Sequence, residues 1–295
     1  MPGASPLADT LDGVCELEDA GASAIVMRSL FEEQILQERF GRSGFVFGPD
    51  RYLEQLRRIK ARVSVPVIAS INGTTTEGWL KYARLLQRAE ADALELNFYH
   101  LATDPAEDAA AVEGRLLDIV AVLKESISIP LAVKLSPFYS SLPNLAKRLD
   151  SIGAQGLVIF NRFYQADIDP DELDTIPLLR WSTSDELLLR LRWLAILSAS
   201  YRGSLAVTGG VHDPIDAVKA IMAGADAVQM VSALLQHGVQ RLTAVRKGFE
   251  QWCDDHGYES IDQVRGSMSL AQSSHPHASE RKNYLKTLQS WKRAV

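Results

Sequence analysis

Leu205-Ala206-Val207-Thr208-Gly209-Gly210-Val211, followed by Ala227-Val228-Gln229-Met230-Val231-Ser232-Ala233, decides the fold class. The first run is an apolar strand that ends in two glycines, and the second is a shorter strand that ends in a small hydroxyl residue. Between them Asp213-Pro214-Ile215-Asp216-Ala217-Val218 opens a helix. Asp213 serves as its N-cap, Pro214 takes the first helical position, and Gly224 closes it. Such a strand–helix–strand unit carries bare backbone N–H groups at its strand ends, where glycine lets a phosphate approach the backbone. As the seventh and eighth strands of a (β/α)8 barrel, the unit is that fold's usual phosphate grip. Thr-Gly-Gly is also an ordinary tight turn, so the rest of the chain has to decide.

Outward from this unit the same rhythm recurs. Residues 24–27, 66–71, 93–97, 131–135, 156–160, 205–208 and 227–231 form seven short runs, nearly continuous in apolarity, as buried parallel strands are. Residues 79–88, 114–126, 142–152 and 216–223 have helical spacing. Gly21, Gly153 and Gly224 stand at helix ends just before strands. The alternation predicts an α/β fold, a (β/α)8 TIM barrel with a shortened first strand around Gly3-Ala4-Ser5. A start upstream of Met1 is the preferred explanation for that short strand. The barrel is expected over 1–256, with a polar, helical C-terminal extension over 257–295. Two segments exceed a minimal barrel. They are 30–50, with Gly41, Gly44 and Gly48, and 160–181, after which Thr183 and Glu186 read as a capping box opening a helix to about Ser198. Both follow strands and so lie on the catalytic face, where long loops are commonly functional.

Composition narrows the function classes. The chain has 295 residues, 46% of them hydrophobic and 23% charged, as in a soluble globular protein. Its net charge of −6 argues against a general nucleic-acid binder. The two cysteines, Cys15 and Cys253, make no C-x-x-C pattern, which points to a reducing, cytoplasmic compartment and leaves no ligand run for an iron–sulfur cluster. No stretch nears the roughly 20 apolar residues of a membrane span. The N-terminus has no secretory signal pattern. The histidines show no metal-ligand spacing, so no metal is expected, and His275 and His277 fall in the polar tail.

Polar residues gather where strands give way to loops: Ala4-Ser5, Arg28-Ser29, Asn72-Gly73-Thr74, Asn97-Phe98-Tyr99-His100, Lys134, Asn161-Arg162, Thr208-Gly209-Gly210 and Val231-Ser232. Asparagine and glycine are also favoured in plain turns. Lys134 is different, because it interrupts a buried apolar run and there needs a partner or a ligand.

In that order and at barrel spacing the pieces resemble the dihydroorotate dehydrogenase family of FMN-dependent barrels. They are Ala4-Ser5, Gly21-Ala22-Ser23-Ala24, Arg28-Ser29, Glu95-Leu96-Asn97, Val133-Lys134-Leu135-Ser136-Pro137, Asn161, Thr208-Gly209-Gly210-Val211 and Gln229-Met230-Val231-Ser232-Ala233-Leu234. The resemblance implies FMN as cofactor. Thr208, Gly209, Gly210, Val231 and Ser232 would hold its phosphate. Lys134 would lie near the N1–C2 edge of the ring and stabilise the anionic reduced form. Ala4 and Ser5 would pack on the ring, and Ser29, Asn72 and Asn161 would line the cofactor. Arg28 stands where the family has a lysine. Asn97 and Asn161 match amides that bind the pyrimidine.

The departures fall on the substrate side. The family's Leu-Asn-Leu-Ser-Cys-Pro-Asn reads here Leu96-Asn97-Phe98-Tyr99-His100-Leu101-Ala102. His100 thus takes the position of the catalytic base, a role its usual pKa suits, though it also reads as a residue that only closes a loop. Residues 30–50 contain nothing that aligns with the family's substrate loop. Three readings stay open. The first is an FMN-dependent oxidoreductase acting on the CH–CH bond of a dihydropyrimidine (dihydroorotate to orotate, pyrimidine biosynthesis), with a small-molecule substrate and an electron-acceptor protein as partners and a homodimer admitted. The others are a phosphate-gripping lyase or isomerase using Lys134, and a non-catalytic flavin-binding partner subunit.

Overall fold

The structure is a computed structural model that describes residues 1–35, 48–76, 80–163, 166–272 and 276–290. Gly41, Gly44, Trp79 and His275, singled out from the sequence, lie outside the described residues. In chain order the elements are α1 (Leu11–Asp19), β1 (Ile25–Phe31), α2 (Glu32–Ile35), α3 (Pro49–Lys60), β2 (Val67–Asn72), α4 (Leu80–Arg88), β3 (Ala93–Asn97), α5 (Ala109–Ser126), β4 (Leu131–Leu135), α6 (Leu142–Ile152), β5 (Gly156–Ile159), β6 (Asp167–Asp169), β7 (Asp174–Ile176), α7 (Leu187–Leu197), β8 (Ser204–Thr208), α8 (Pro214–Ala223), β9 (Ala227–Gln229), α9 (Ser232–His237), α10 (Gln240–Asp255), α11 (Ile261–Val264) and α12 (Pro276–Gln289).

Seven strands form one parallel sheet in the order β1-β2-β3-β4-β5-β8-β9. Strand order follows chain order, with a helix-bearing crossover between neighbours, as a barrel-like α/β fold requires. The sheet is curled. In a flat sheet β3 and β9 would stand four strand spacings apart, about 19 Å, yet Gln229 Nε2 on β9 donates to Glu95 Oε2 on β3 at 3.1 Å. Along the open edge of β9, Met230 donates to Met1 O (3.0 Å) and Gly3 donates to Met230 O (3.1 Å), so Met1–Gly3 runs as a parallel stub. Among the described residues no backbone hydrogen bond joins this stub to β1.

The helix ends follow the sequence logic. Asp213 is the N-cap of α8 with Pro214 first in the helix, and Gly224 ends it at φ +112°. Gly153 ends α6 in the same left-handed conformation, at φ +99°. The capping box at Thr183 does not form. Residues Ser184–Glu186 make a short 3-10 turn ahead of α7, and Thr183 makes no side-chain cap. Ser184 Oγ instead donates to Asp216 Oδ2 (2.7 Å) and Glu186 binds Arg162, because tertiary partners outcompete the local cap. The loop after β5 carries the β6–β7 hairpin, which the sequence pattern did not reveal. After α10, Val264 is fully buried, and the amides of Gly266 and Met268 donate to the Ile221 and Met222 carbonyls (3.0 and 2.8 Å), so this stretch packs on α8.

Candidate active site

Because β4 and β8 are parallel members of one sheet, Lys134, next to last in β4, and Gly209, just after β8, stand on the same carboxyl-end rim. Beneath that rim a buried polar chain crosses the interior. Asn161 Nδ2 donates to Asn97 Oδ1 (2.7 Å) and Asn97 Nδ2 to Ser29 Oγ (3.4 Å). Ser29 and Ser70 share a hydroxyl contact of 2.8 Å, and Ser70 Oγ donates to Glu95 Oε1 (3.4 Å). Glu95 then takes the hydrogen bond from Gln229 and lies 3.7 Å from Lys134 Nζ. Period-two alternation puts Glu95 and Asn97 on one face of β3, and the registers Asn72↔Asn97↔Lys134 and Ser70↔Glu95 stack two layers inside the sheet.

A bulge decides which β1 side chain joins. The register Ile25↔Val67 would bring Arg28 opposite Ser70, but the extra residue between Val26 and Ser29 brings Ser29 there. Arg28 turns instead to Asp9, with Nε 3.0 Å from Oδ1 and Nη2 2.5 Å from Oδ2. Burial pushes the Asp9 carboxyl up, against the pull of that guanidinium. The structure thus does not bring Arg28 into the Ser29–Ser70–Glu95 network that the lysine faces.

The glycine pair has a packing reason beyond phosphate access. A Cβ on Gly209 (φ +83°) would lie 2.7 Å from Arg190 Nη2, and one on Gly210 (φ +86°) would lie 2.5 Å from the Leu187 amide nitrogen. Arg190, buried in α7, donates to the carbonyls of Thr208 (2.5 Å), Glu186 (2.6 Å) and Phe160 (3.5 Å) and so ties the ends of β5 and β8 together. Their own amides remain available: among the described residues neither Gly209 nor Gly210 N–H donates to a group of the chain. Ser232 Oγ accepts from the Ser182 amide (3.1 Å), and Ser182 Oγ meets His212 Nε2 (3.0 Å), which fastens the loop after β5 over the strand ends. Burial lowers the His212 pKa, against Asp216 and Asp213 nearby.

His100 is drawn to α5. Its Nε2 lies 2.8 Å from Arg115 Nη1 and 3.2 Å from Glu107 Oε2, so the ring nitrogen is held between a donor and an acceptor. Glu107 completes the cluster, ion-paired to Arg115. The structure does not join His100 to the Asn97–Asn161 pair. Tyr99 stacks on Phe163 (ring centroids 4.9 Å), and Phe138 meets Phe163 edge-on (4.7 Å), which builds an aromatic wall on the same rim.

Among the described residues three kinds of donor here have unmet hydrogen-bonding capacity: the two glycine amides, the Lys134 amine, with no acceptor within hydrogen-bond distance, and the buried Ser5 hydroxyl; one buried acceptor, Gln229 Oε1, also has no partner. Such a donor set suits a ligand with an anionic group at one end and acceptor atoms on a ring at the other. Among the described residues no group of three or more His, Cys, Asp or Glu could hold a metal, and no helix is long and apolar enough to cross a membrane.

No protein-family model matches the chain. Individual relatives do. The catalytic subunit of dihydroorotate dehydrogenase B (NAD(+)) from Methanosarcina mazei is 30% identical over 224 residues, 73% of this chain and 69% of that protein. The chain belongs to the dihydroorotate dehydrogenase family. The protein of the same description from Thermoplasma acidophilum is 27% identical over 269 residues, 83% of this chain and 86% of its own length. The one from Geobacter sp. (strain M21) is 28% identical over 240 residues, 76% and 74%. Sequence reading assigned no role to Glu95, Ser70, Gln229, Arg190 or Ser182, although Glu95 and Gln229 stand in the motifs that carry the family resemblance. The available signal was a charged residue inside an apolar run, in Ala93-Leu94-Glu95-Leu96 and again in Leu187-Leu188-Leu189-Arg190-Leu191.

Proposed function

We propose that the chain is an FMN-dependent oxidoreductase of the dihydroorotate dehydrogenase type, acting on the CH–CH bond of a dihydropyrimidine such as dihydroorotate. The observation that carries this is the Lys134 amine, buried and, among the described residues, without a hydrogen-bond acceptor, on one rim with two glycine amides that have no acceptor among those residues. FMN, when bound, supplies the hydride acceptor. Thr208, Gly209, Gly210, Val231 and Ser232 would hold its phosphate, with Ala4, Ser5, Ser29, Asn72, Asn161 and Lys134 along the ring. Arg28 would reach the ring only after leaving Asp9. Asn97 and Asn161 hold each other, which leaves Asn161 Oδ1 and an amide proton on each for a cyclic imide. His100 would take the C5 proton once Nε2 is released from Arg115 and Glu107.

This reading takes the fold as a closed (β/α)8 barrel over 1–256, with Met1–Gly3 as its short first strand and 257–295 as an extension. The relatives are described as catalytic subunits, so the chain would pass electrons to a partner protein in the cytoplasm; a homodimer is compatible with this. A second reading is favoured by the engagement of His100 with Arg115: a flavin-binding subunit that does not turn over dihydroorotate. Purified protein with flavin absorbance that bleaches anaerobically on adding dihydroorotate supports the first. Yellow protein that does not bleach supports the second, and colourless protein that takes up no added FMN sinks both.

A further inference from the structure

Glu95 is the one carboxylate in the interior polar chain, and the proposed chemistry does not use it. Gln229 donates to its Oε2 (3.1 Å) and Ser70 to its Oε1 (3.4 Å), so both oxygens are held and the group cannot swing away. Lys134 starts one layer higher, opposite Asn97, and its amine comes down to 3.7 Å from Oε1. That separation is too long for a hydrogen bond but close for a charge pair, and both groups are shut off from water. The ammonium therefore keeps its donors while sharing its charge with a carboxylate below it.

We propose that Glu95 is a positioning residue acting through Lys134: it is the fixed counter-charge that sets how much positive charge a group bound at the rim experiences. The inference rests on the FMN reading above. A bare cation beside the ring favours the reduced, anionic cofactor, and a paired one favours it less. Glu95 would hold the bound flavin's potential down, and Lys134 would hold it up.

The test is the midpoint potential of bound FMN, measured anaerobically against reference dyes in wild type, Glu95→Gln, Lys134→Gln and the double variant, with thermal melting of each. Glu95→Gln is expected to raise the potential, by about 30 mV if the ratio of affinities for reduced and oxidised FMN rises tenfold in this two-electron couple. Lys134→Gln is expected to lower it, and the double variant to fall between the two. A purely structural role for Glu95 would not move the two potentials in opposite directions. If Glu95→Gln does not fold or hold FMN, Glu95→Asp, which withdraws the charge without removing it, is expected to give a smaller rise. Flavinated, folded Glu95 variants whose potential is unchanged or lowered overturn this inference alone. Wild-type protein that binds no FMN overturns it together with the flavin reading.

Discussion

Lys134 and Arg190 are both buried cations on the rim, and their surroundings assign them different work. Arg190 spends its donors on three backbone carbonyls, so it organises the loops. Replacing it with leucine leaves those carbonyls unpaired and is expected to cost about 3 kcal/mol, read by urea denaturation, with FMN affinity falling alongside. Among the described residues Lys134 faces only the distant Glu95, so Lys134→Ala is expected to slow flavin reduction at least tenfold while FMN affinity changes less. Equal losses in a stopped-flow and a binding assay would argue against an electronic role. Gly209→Val, an obvious probe of the proposed phosphate grip, would collide with Arg190 first, so its effect would report packing.

At the scale of elements, the loop after β5 is fastened at Ser182 and exposed at its hairpin. His212 holds Ser182, and burial depresses the His212 pKa below its ordinary value near 6.5. With the folded value depressed, the unfolded chain binds the proton more readily. This contribution is therefore complete above about pH 6.5 and declines as pH falls through 6.5 toward the folded value. Stability curves at pH 7 and pH 5.5 are expected to differ less in His212→Gln than in wild type. At the tip of the β6–β7 hairpin Leu173 is 88% exposed and sits at φ +54°, a conformation costly for a branched side chain. Leu173→Gly is expected to stabilise the hairpin by about 1 kcal/mol, seen as slower proteolytic nicking of residues 166–180.

For the molecule as a whole, FMN would bind only the folded sheet, because the glycine amides, Lys134 and Ser5 come from strands distant in sequence. Linkage then stabilises the fold by about 2.7 kcal/mol at a free FMN concentration one hundred times Kd. A melting temperature that rises with FMN, but not with riboflavin, would assign part of that energy to the phosphate end. No change with either would argue against a cofactor at this rim.

The sequence by itself determined the local features: short apolar runs, the glycine and proline punctuation of α6 and α8, and a lysine stranded in a β run. These are readable because periodicity and capping depend on residues close in the chain. The family resemblance was legible for the same reason, through short motifs in order. Only the tertiary structure decided that Ser29 rather than Arg28 faces inward, because a one-residue bulge reverses which side chain points in. It alone assigned Glu95 to Lys134, Arg190 to the glycine turn and His100 to Arg115. Each of those pairings joins different elements, so local periodicity does not carry them, and the Glu95–Gln229 contact further requires the curl of the sheet.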